Sequence, residues 1–131
     1  MAEIGLRTKM LVRDIMSSPV ITIDEDETSN KAAVSMEKND LGAVIVTNKA
    51  GKSIGIITER DLVNRVIAKN LKPDTIRGKE IMTTPLVTIE PEATISDAAR
   101  RMTRLDIRRL GVIYKGNLLG IISSKDILGV M

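Results

Sequence analysis

One pattern runs through this chain twice, and that constrains its fold more than any other feature. "DIMSSPVITI" at Asp14–Ile23 returns as "EIMTTPLVTI" at Glu80–Ile89. "AAVSM" at Ala32–Met36 returns as "AARRM" at Ala98–Met102, and "GAVIVT" at Gly42–Thr47 answers "RLGVIY" at Arg109–Tyr114. "GIITERDL" at Gly55–Leu62 returns as "GIISSKDI" at Gly120–Ile127. The largest difference lies in the loop after the middle strand, "NKAGKS" against "KGNL". Ordered self-similarity of this kind marks a structural unit used twice. A unit of about 60 residues is marginal alone, so the copies are expected to share a core with approximate two-fold symmetry.

Each copy reads as β-α-β-β-α. "VITI" and "LVTI" are β-branched runs between Pro and acidic residues, the pattern of short strands. Ile95, Ala98, Ala99, Met102 and Leu105 recur at helical spacing, with Thr94 as cap; Ala32, Ala33 and Met36 mark the equivalent helix. "AVIV" and "SIGII" flank Gly51 as a hairpin, repeated by "LGVIY" and "LLGII" around Gly116-Asn117. A helix with Leu62, Val63, Val66 and Ile67 on one face follows, and its copy starts at Ile127. The expected fold class is therefore α/β (α+β), with two repeats packed through their sheets. The expected domains are residues 12–69 and 78–131, joined by a polar linker at 70–77 within "KNLKPDTIRGK".

Composition removes several functions. The chain has 131 residues and contains neither Cys nor His. Disulfides, thiolate or imidazole metal sites and Cys/His catalysis are thereby excluded, and no metal is expected. Tyr114 is the sole aromatic residue, so there is no stacking platform for single-stranded nucleic acid. The net charge of +3 and pI near 9.3 mildly favour anionic partners. No apolar run approaches the ~20 residues of a membrane span. "MAEIGLRTKML" lacks the marks of a leader, which makes the cytoplasm the expected compartment.

The repeated phrase supports two readings. Thr58-x-x-Asp61 and Ser123-x-x-Asp126 each stand where a strand runs into a helix, the spacing of a capping box. The same geometry suits a ribonucleotide. A helix start can hold phosphate, Arg60 and Lys125 oppose the macrodipole unless an anion sits nearby, and a carboxylate can accept from a ribose diol. Ile56 and Ile121 would supply aliphatic walls for a base.

The paired "IM(S/T)xPxxTI", the central "(R/G)xxV" strand and the terminal "GII(T/S)xxD" together resemble the cystathionine-β-synthase (CBS) domain. The resemblance covers essentially the whole chain, and two such domains in tandem are similar to a Bateman module. It implies a regulatory sensor, not an enzyme. Such a sensor binds AMP, ADP, ATP, S-adenosylmethionine or NAD-like ligands in clefts between the two domains, and many form dimers. By resemblance, Asp61 and Asp126 contact ribose hydroxyls, Thr58 and Ser123 contact ribose or phosphate, and Arg60 and Lys125 contact phosphate or ribose. Arg109 matches a phosphate-binding position that is Gly42 in copy one. Across the cleft, the Asp126 site draws on Met16–Ile21, including Pro19, Val20 and Ile21, and on Asp40, Leu41 and Gly42. The Asp61 site draws on Met82–Val87, including Pro85, Leu86 and Val87, and on Ile107, Arg108 and Arg109. The Asp126 site is the better equipped. The family's frequent Leu-Pro-Val is here Leu110-Gly111-Val112, a departure expected to change local rigidity.

The leading expectation is a stand-alone module that binds an adenine nucleotide, needs no cofactor for chemistry, forms a homodimer and signals to an effector protein. The competing expectations are an interaction module with empty clefts, and binding of S-adenosylmethionine or NAD. No nucleophile–base pair supports an enzyme. Arg100, Arg101, Arg104 and Arg108 read as a solvated face before a nucleic-acid patch. The methionines read as core, save Met16 and Met82 beside the base pocket. "DEDET" at Asp24–Thr28 reads as the approach to a helix.

Overall fold

The computed structural model describes residues 9–131. The stretch "MAEIGLRTKML", read above for a leader, lies mostly outside the described residues. The chain divides into two units. The middle unit is Ile21–Leu86; the terminal unit joins the described residues through Val20 to Val87–Met131. The sequence repeats and the packing units thus divide the chain differently, because each unit takes its leading segment from the other repeat.

In the middle unit, β1 (Thr22–Asp24) runs parallel to β2 (Ala43–Thr47), which pairs antiparallel with β3 (Ser53–Thr58). Ala43–Val46 are all buried, as expected of a central strand written as an unbroken apolar run. α2 (Ser29–Lys38) is capped by Thr28, whose side chain accepts from the Lys31 N–H at 3.1 Å. It lays Ala32 and Met36 on a core of Ile23, Val44, Val46, Ile57, Val66 and Ile81. α3 (Glu59–Leu62) passes into a π turn at Val63–Ile67. The extra residue of a π turn breaks the i, i+3, i+4 register. Val66 is therefore buried while Val63 and Ile67 are 55% and 62% exposed, against the expected single apolar face.

The supposed linker is folded onto this unit. The Ser29 hydroxyl donates to the Pro73 carbonyl at 2.7 Å, and the Ser29 N–H donates to the Ile76 carbonyl at 2.7 Å. The Gly78 N–H at the start of α4 (Gly78–Ile81) donates to Glu27 at 2.7 Å, and Ile76 packs on the core. Its polarity suggested a free connection, but its backbone groups are satisfied by the N-terminal end of α2.

In the terminal unit, α1 (Val12–Ile15) is followed by β4 (Thr88–Ile89), α5 (Ile95–Leu105), β5 (Arg109–Tyr114), β6 (Asn117–Ser123) and α6 (Ser124–Leu128). β5 lies between β4, parallel to it, and β6, antiparallel. α5 has the expected bounds and cap, with Thr94 accepting from the Asp97 N–H at 3.1 Å. Ile89, Ile95, Ala98, Met102, Leu110, Val112, Ile122 and Ile127 form the core. Val12 joins it because the Val12 and Arg13 N–H groups donate to Ala93 and Pro91. The β5–β6 turn places Lys115 and Gly116 at φ 50° and 80°, one residue earlier than "Gly116-Asn117" suggested. No helix among the described residues is long and apolar enough to cross a membrane.

Candidate functional site

Both copies of the repeated phrase form capping boxes. In the terminal unit the Asp126 N–H donates to Ser123 Oγ at 3.1 Å, and the Ser123 N–H donates to Asp126 Oδ2 at 2.8 Å. In the middle unit the matching distances are 3.2 Å from the Asp61 N–H to Thr58 Oγ1 and 2.9 Å from the Thr58 N–H to Asp61 Oδ2.

A leading segment lies against each phrase. Ser17 and Ile121 exchange both backbone hydrogen bonds, at 2.8 and 3.1 Å, as Thr83 and Ile56 do at 2.8 and 3.0 Å. The glycine of each "GII" makes this approach possible. A Cβ on Gly120 would stand 2.7 Å from the Ser17 carbonyl oxygen and 3.0 Å from Met16 Sδ. On Gly55 it would stand 2.8 Å from Met82 Sδ and 2.9 Å from the Thr83 carbonyl oxygen.

Each leading segment lies with the aspartate that the resemblance assigns to it, but within one packing unit rather than in the domain opposite. Met16, Pro19 and Val20, expected from the domain opposite Asp126, belong to the terminal unit with Ile121, Ser123, Lys125 and Asp126. Met82, Pro85 and Leu86 likewise belong with Ile56, Thr58, Arg60 and Asp61. Ile21, Asp40, Leu41 and Gly42 are in the middle unit, where the Glu59 N–H donates to the Gly42 carbonyl at 3.1 Å. Val87, Ile107, Arg108 and Arg109 are in the terminal unit, where the Ser124 N–H donates to the Arg108 carbonyl at 2.9 Å. Arg109 pairs with Ser123 across the ladder as Ala43 pairs with Thr58. The counterparts of Arg108 and Arg109 are therefore Gly42 and Ala43, one position from the sequence match of Arg109 with Gly42. Strand register decides this, and the two short apolar runs align equally well either way.

The two aspartates have different surroundings. Asp61 is 7% exposed, and its Oδ2 also lies 3.2 Å from the Thr58 hydroxyl. The Thr83 hydroxyl donates to Asp61 Oδ1 at 3.1 Å, and Arg65 Nε stands 3.8 Å from the same oxygen. Asp126 is half-buried, and its only partner among the described residues is the Ser123 N–H on Oδ2. Arg109 is half-buried, while Arg108 and Lys125 are exposed. Arg109 is paired with Ser123 by strand register, Arg108 precedes it, and Lys125 follows two residues after Ser123. The dipole argument from the sequence weakens, because α3 and α6 have four and five residues. Arg60 and Lys125 each lie in the first and last turn at once, so the macrodipole does not oppose them.

Arg65 was missed in the sequence, and Thr83 entered only within Met82–Val87, for backbone or apolar contact with a base. Thr83 was visible as the hydroxyl repeated at Ser17, but Arg65 follows the repeated phrase and has Val130 as its counterpart. Elsewhere Arg100, Arg104 and Arg108 are exposed, as a solvated face requires, and Arg101 is half-buried. Arg101 donates to the Thr88 carbonyl at 2.6 Å and Arg100 pairs with Asp97, whose carboxyl is held below its ordinary value by the Thr94 hydroxyl and then by Arg100. In "DEDET", Asp24 pairs with Lys49 at 2.7 Å, and Asp26 pairs with Lys79 at 2.9 Å and Lys49 at 3.0 Å. The hydrogen bond from Lys79, then that from Lys49, lowers Asp26 to about 2. No cluster among the described residues has the Asp, Glu, His or Cys ligands to hold a metal ion.

Comparison with known proteins agrees with this architecture. The CBS domain family matches twice, over residues 12–68 and 79–131. An uncharacterised protein of Methanopyrus kandleri is 36% identical over 91% of this chain and 61% of its own length. Hypoxic response protein 1 of Mycobacterium tuberculosis is 31% identical over 88% of this chain and 80% of its own. The chain spans 61% of the first of these relatives and only 31% of a Methanocaldococcus jannaschii protein that it matches at 33% identity. Among solved structures, a hexameric CBS-CP12 protein from bloom-forming cyanobacteria superposes with a TM-score of 0.85 at 38% identity, covering 91% of this chain and 69% of that one. Hypoxic Response Protein I with two coordinated zinc ions superposes at 0.81 with 30% identity, covering 93% and 99%. None of these matches points to a catalytic family. With both repeats matched end to end, the chain belongs to the CBS domain family and carries two CBS domains in tandem.

Proposed function

We propose that this tandem CBS pair is a regulatory, non-catalytic module that binds an adenine nucleotide at Asp126. One observation carries the reading: Asp126 has a carboxylate oxygen that no described residue occupies, in the unit whose middle strand is entered at Arg108-Arg109, where the other unit has Gly42-Ala43. A free carboxylate oxygen suits a ribose diol, the cations suit phosphate, and Ile121 and Met16 offer aliphatic surface to a base. The zinc named for Hypoxic Response Protein I is not carried over, since this chain has no Cys or His. Binding acts as a signal only through differential affinity for two states of the protein. Exposed Leu128 and Met131 in the terminal unit, and Val63 and Ile67 in the middle one, support association of chains into a dimer or larger assembly.

Calorimetric titration with AMP, ATP and S-adenosylmethionine tests the proposal. Asp126→Asn is expected to weaken nucleotide binding about 10- to 100-fold, the worth of a hydrogen bond to a charged group. No heat of binding at millimolar nucleotide leaves the interaction-module reading in its place.

A further inference from the structure

We infer that the Asp61 copy of the motif is a structural clamp and that the chain takes up one nucleotide, not two. In the middle unit both carboxylate oxygens of Asp61 already accept hydrogen bonds from the protein. Asp61 Oδ2 accepts from the Thr58 N–H and Oδ1 accepts from the Thr83 hydroxyl. Arg65, brought round by the π turn, stands 3.8 Å from Oδ1 while its Nη1 donates to the carbonyls of Ile81 and Met82, each at 3.0 Å. Asp61 and Arg65 therefore fasten the Ile81–Thr83 segment to the end of β3, beside the Thr83–Ile56 backbone pair.

The terminal unit lacks these parts. The counterpart of Arg65 is Val130, which donates no side-chain hydrogen bond, and Ser17, the counterpart of Thr83, makes no side-chain bond to Asp126. The basic pair Arg108-Arg109 is replaced in the middle unit by Gly42-Ala43. One copy thus has its carboxylate satisfied and no cations on the neighbouring strand. The other has one carboxylate oxygen without a partner among the described residues, one cation at the start of that strand and one just before it.

The stoichiometric half of this inference rests on the nucleotide reading, and the clamp does not. The test therefore has two arms. ATP is titrated calorimetrically into the full chain and into Asp61→Asn, Thr83→Val and Asp126→Asn, and each protein is melted without nucleotide. One equivalent of ATP is expected for the unmodified chain and for Thr83→Val, and one equivalent bound about 10- to 100-fold more weakly for Asp126→Asn. Thr83→Val and Asp61→Asn are each expected to lower Tm by roughly 4–10 °C, with the double variant no worse than the weaker single one, and Thr83→Ser restoring the unmodified value. Two equivalents of ATP, or loss of an equivalent in Asp61→Asn at unchanged Tm, overturn the inference. If ATP does not bind at all, the nucleotide reading fails alone. Additive or absent Tm losses then overturn the clamp, and coupled losses uphold it.

Discussion

Replacing Gly120 by Ala probes how the leading segment is seated on β6. The new Cβ would stand 2.7 Å from the Ser17 carbonyl oxygen, at least 0.7 Å inside the 3.4 Å of ordinary contact. That oxygen cannot yield freely, because it accepts from the Ile121 N–H at 3.1 Å while the Ser17 N–H donates back at 2.8 Å. Relief requires the segment to lift, stretching two hydrogen bonds worth about 1 kcal/mol each. Overpacking of this kind costs about 1–3 kcal/mol. Ala also restricts the unfolded chain, which returns about 0.4–1 kcal/mol. The net loss is then about 1–2 kcal/mol, or roughly 4–8 °C in Tm at this chain length. Differential scanning calorimetry measures it, and amide exchange at Ser17 and Ile121 shows whether the loss is local. Gly116→Asn is the control, since its φ of 80° suits Asn and no atom lies within 4 Å of the added Cβ. It should stay within about 1 kcal/mol. Gly120→Ala melting with the unmodified protein, with Ser17 and Ile121 still protected, would show that the contact is not what holds the segment.

Further outcomes follow from other contacts. Ser29→Ala removes a fully buried donor to Pro73, so stability should fall by about 1–2 kcal/mol and amide exchange should quicken around Ile76. Asp26 has its folded value depressed to about 2, so its contribution is present above the ordinary carboxylate range near 4. That contribution is lost as pH falls from about 4 towards 2. Lys49→Met should flatten the Tm–pH curve in that window, and high salt should do the same to the unmodified protein. Lys49 and Lys79 are raised chiefly by hydrogen bonds to Asp24 and to Asp26 respectively, so their contributions are present below the ordinary lysine range and fade as pH rises through it and beyond. Arg109, whose side chain has no hydrogen-bond or ion-pair partner among the described residues, is the proposed phosphate contact, so Arg109→Ala should weaken ATP more than adenosine and leave Tm without ligand nearly unchanged.

The two-copy architecture was readable wherever local signals agreed. α5 announces itself through apolar spacing from Ile95 to Leu105 and a Thr94 cap, and both hairpins through short β-branched runs around glycine. Both capping boxes were also legible, because Thr58-x-x-Asp61 and Ser123-x-x-Asp126 are contiguous in sequence. The exchange of leading segments was not legible in the residues themselves; only the family resemblance set Met16–Ile21 with Asp126 and Met82–Val87 with Asp61. "DIMSSP" and "EIMTTP" are so alike that either could lie against either "GII", and nothing local distinguishes the pairings. The supposed linker misled for a related reason: its charged residues face outward, while the Pro73 and Ile76 carbonyls, which any sequence possesses, tie it to α2. The π turn at Val63–Ile67 likewise leaves no mark in a pattern that fits a regular helix equally well.

The duplication also separates two roles that one motif alone would confound. A hydroxyl and an aspartate three residues on serve as a cap in either unit, so capping cannot explain a difference between the two. What differs lies outside the motif: Thr83 and Arg65 satisfy one carboxylate, whereas Ser17 and Val130 leave the other partly free. Lys125 is matched by Arg60 in the other copy, but the basic pair Arg108-Arg109 is found in the Asp126 unit alone, where the middle unit has Gly42-Ala43. The residues flanking the repeat, not the repeated phrase, are therefore where a ligand site and a structural clamp part ways. Exchanging Arg65→Val with Val130→Arg should move nucleotide affinity and thermal stability in opposite directions at the two copies.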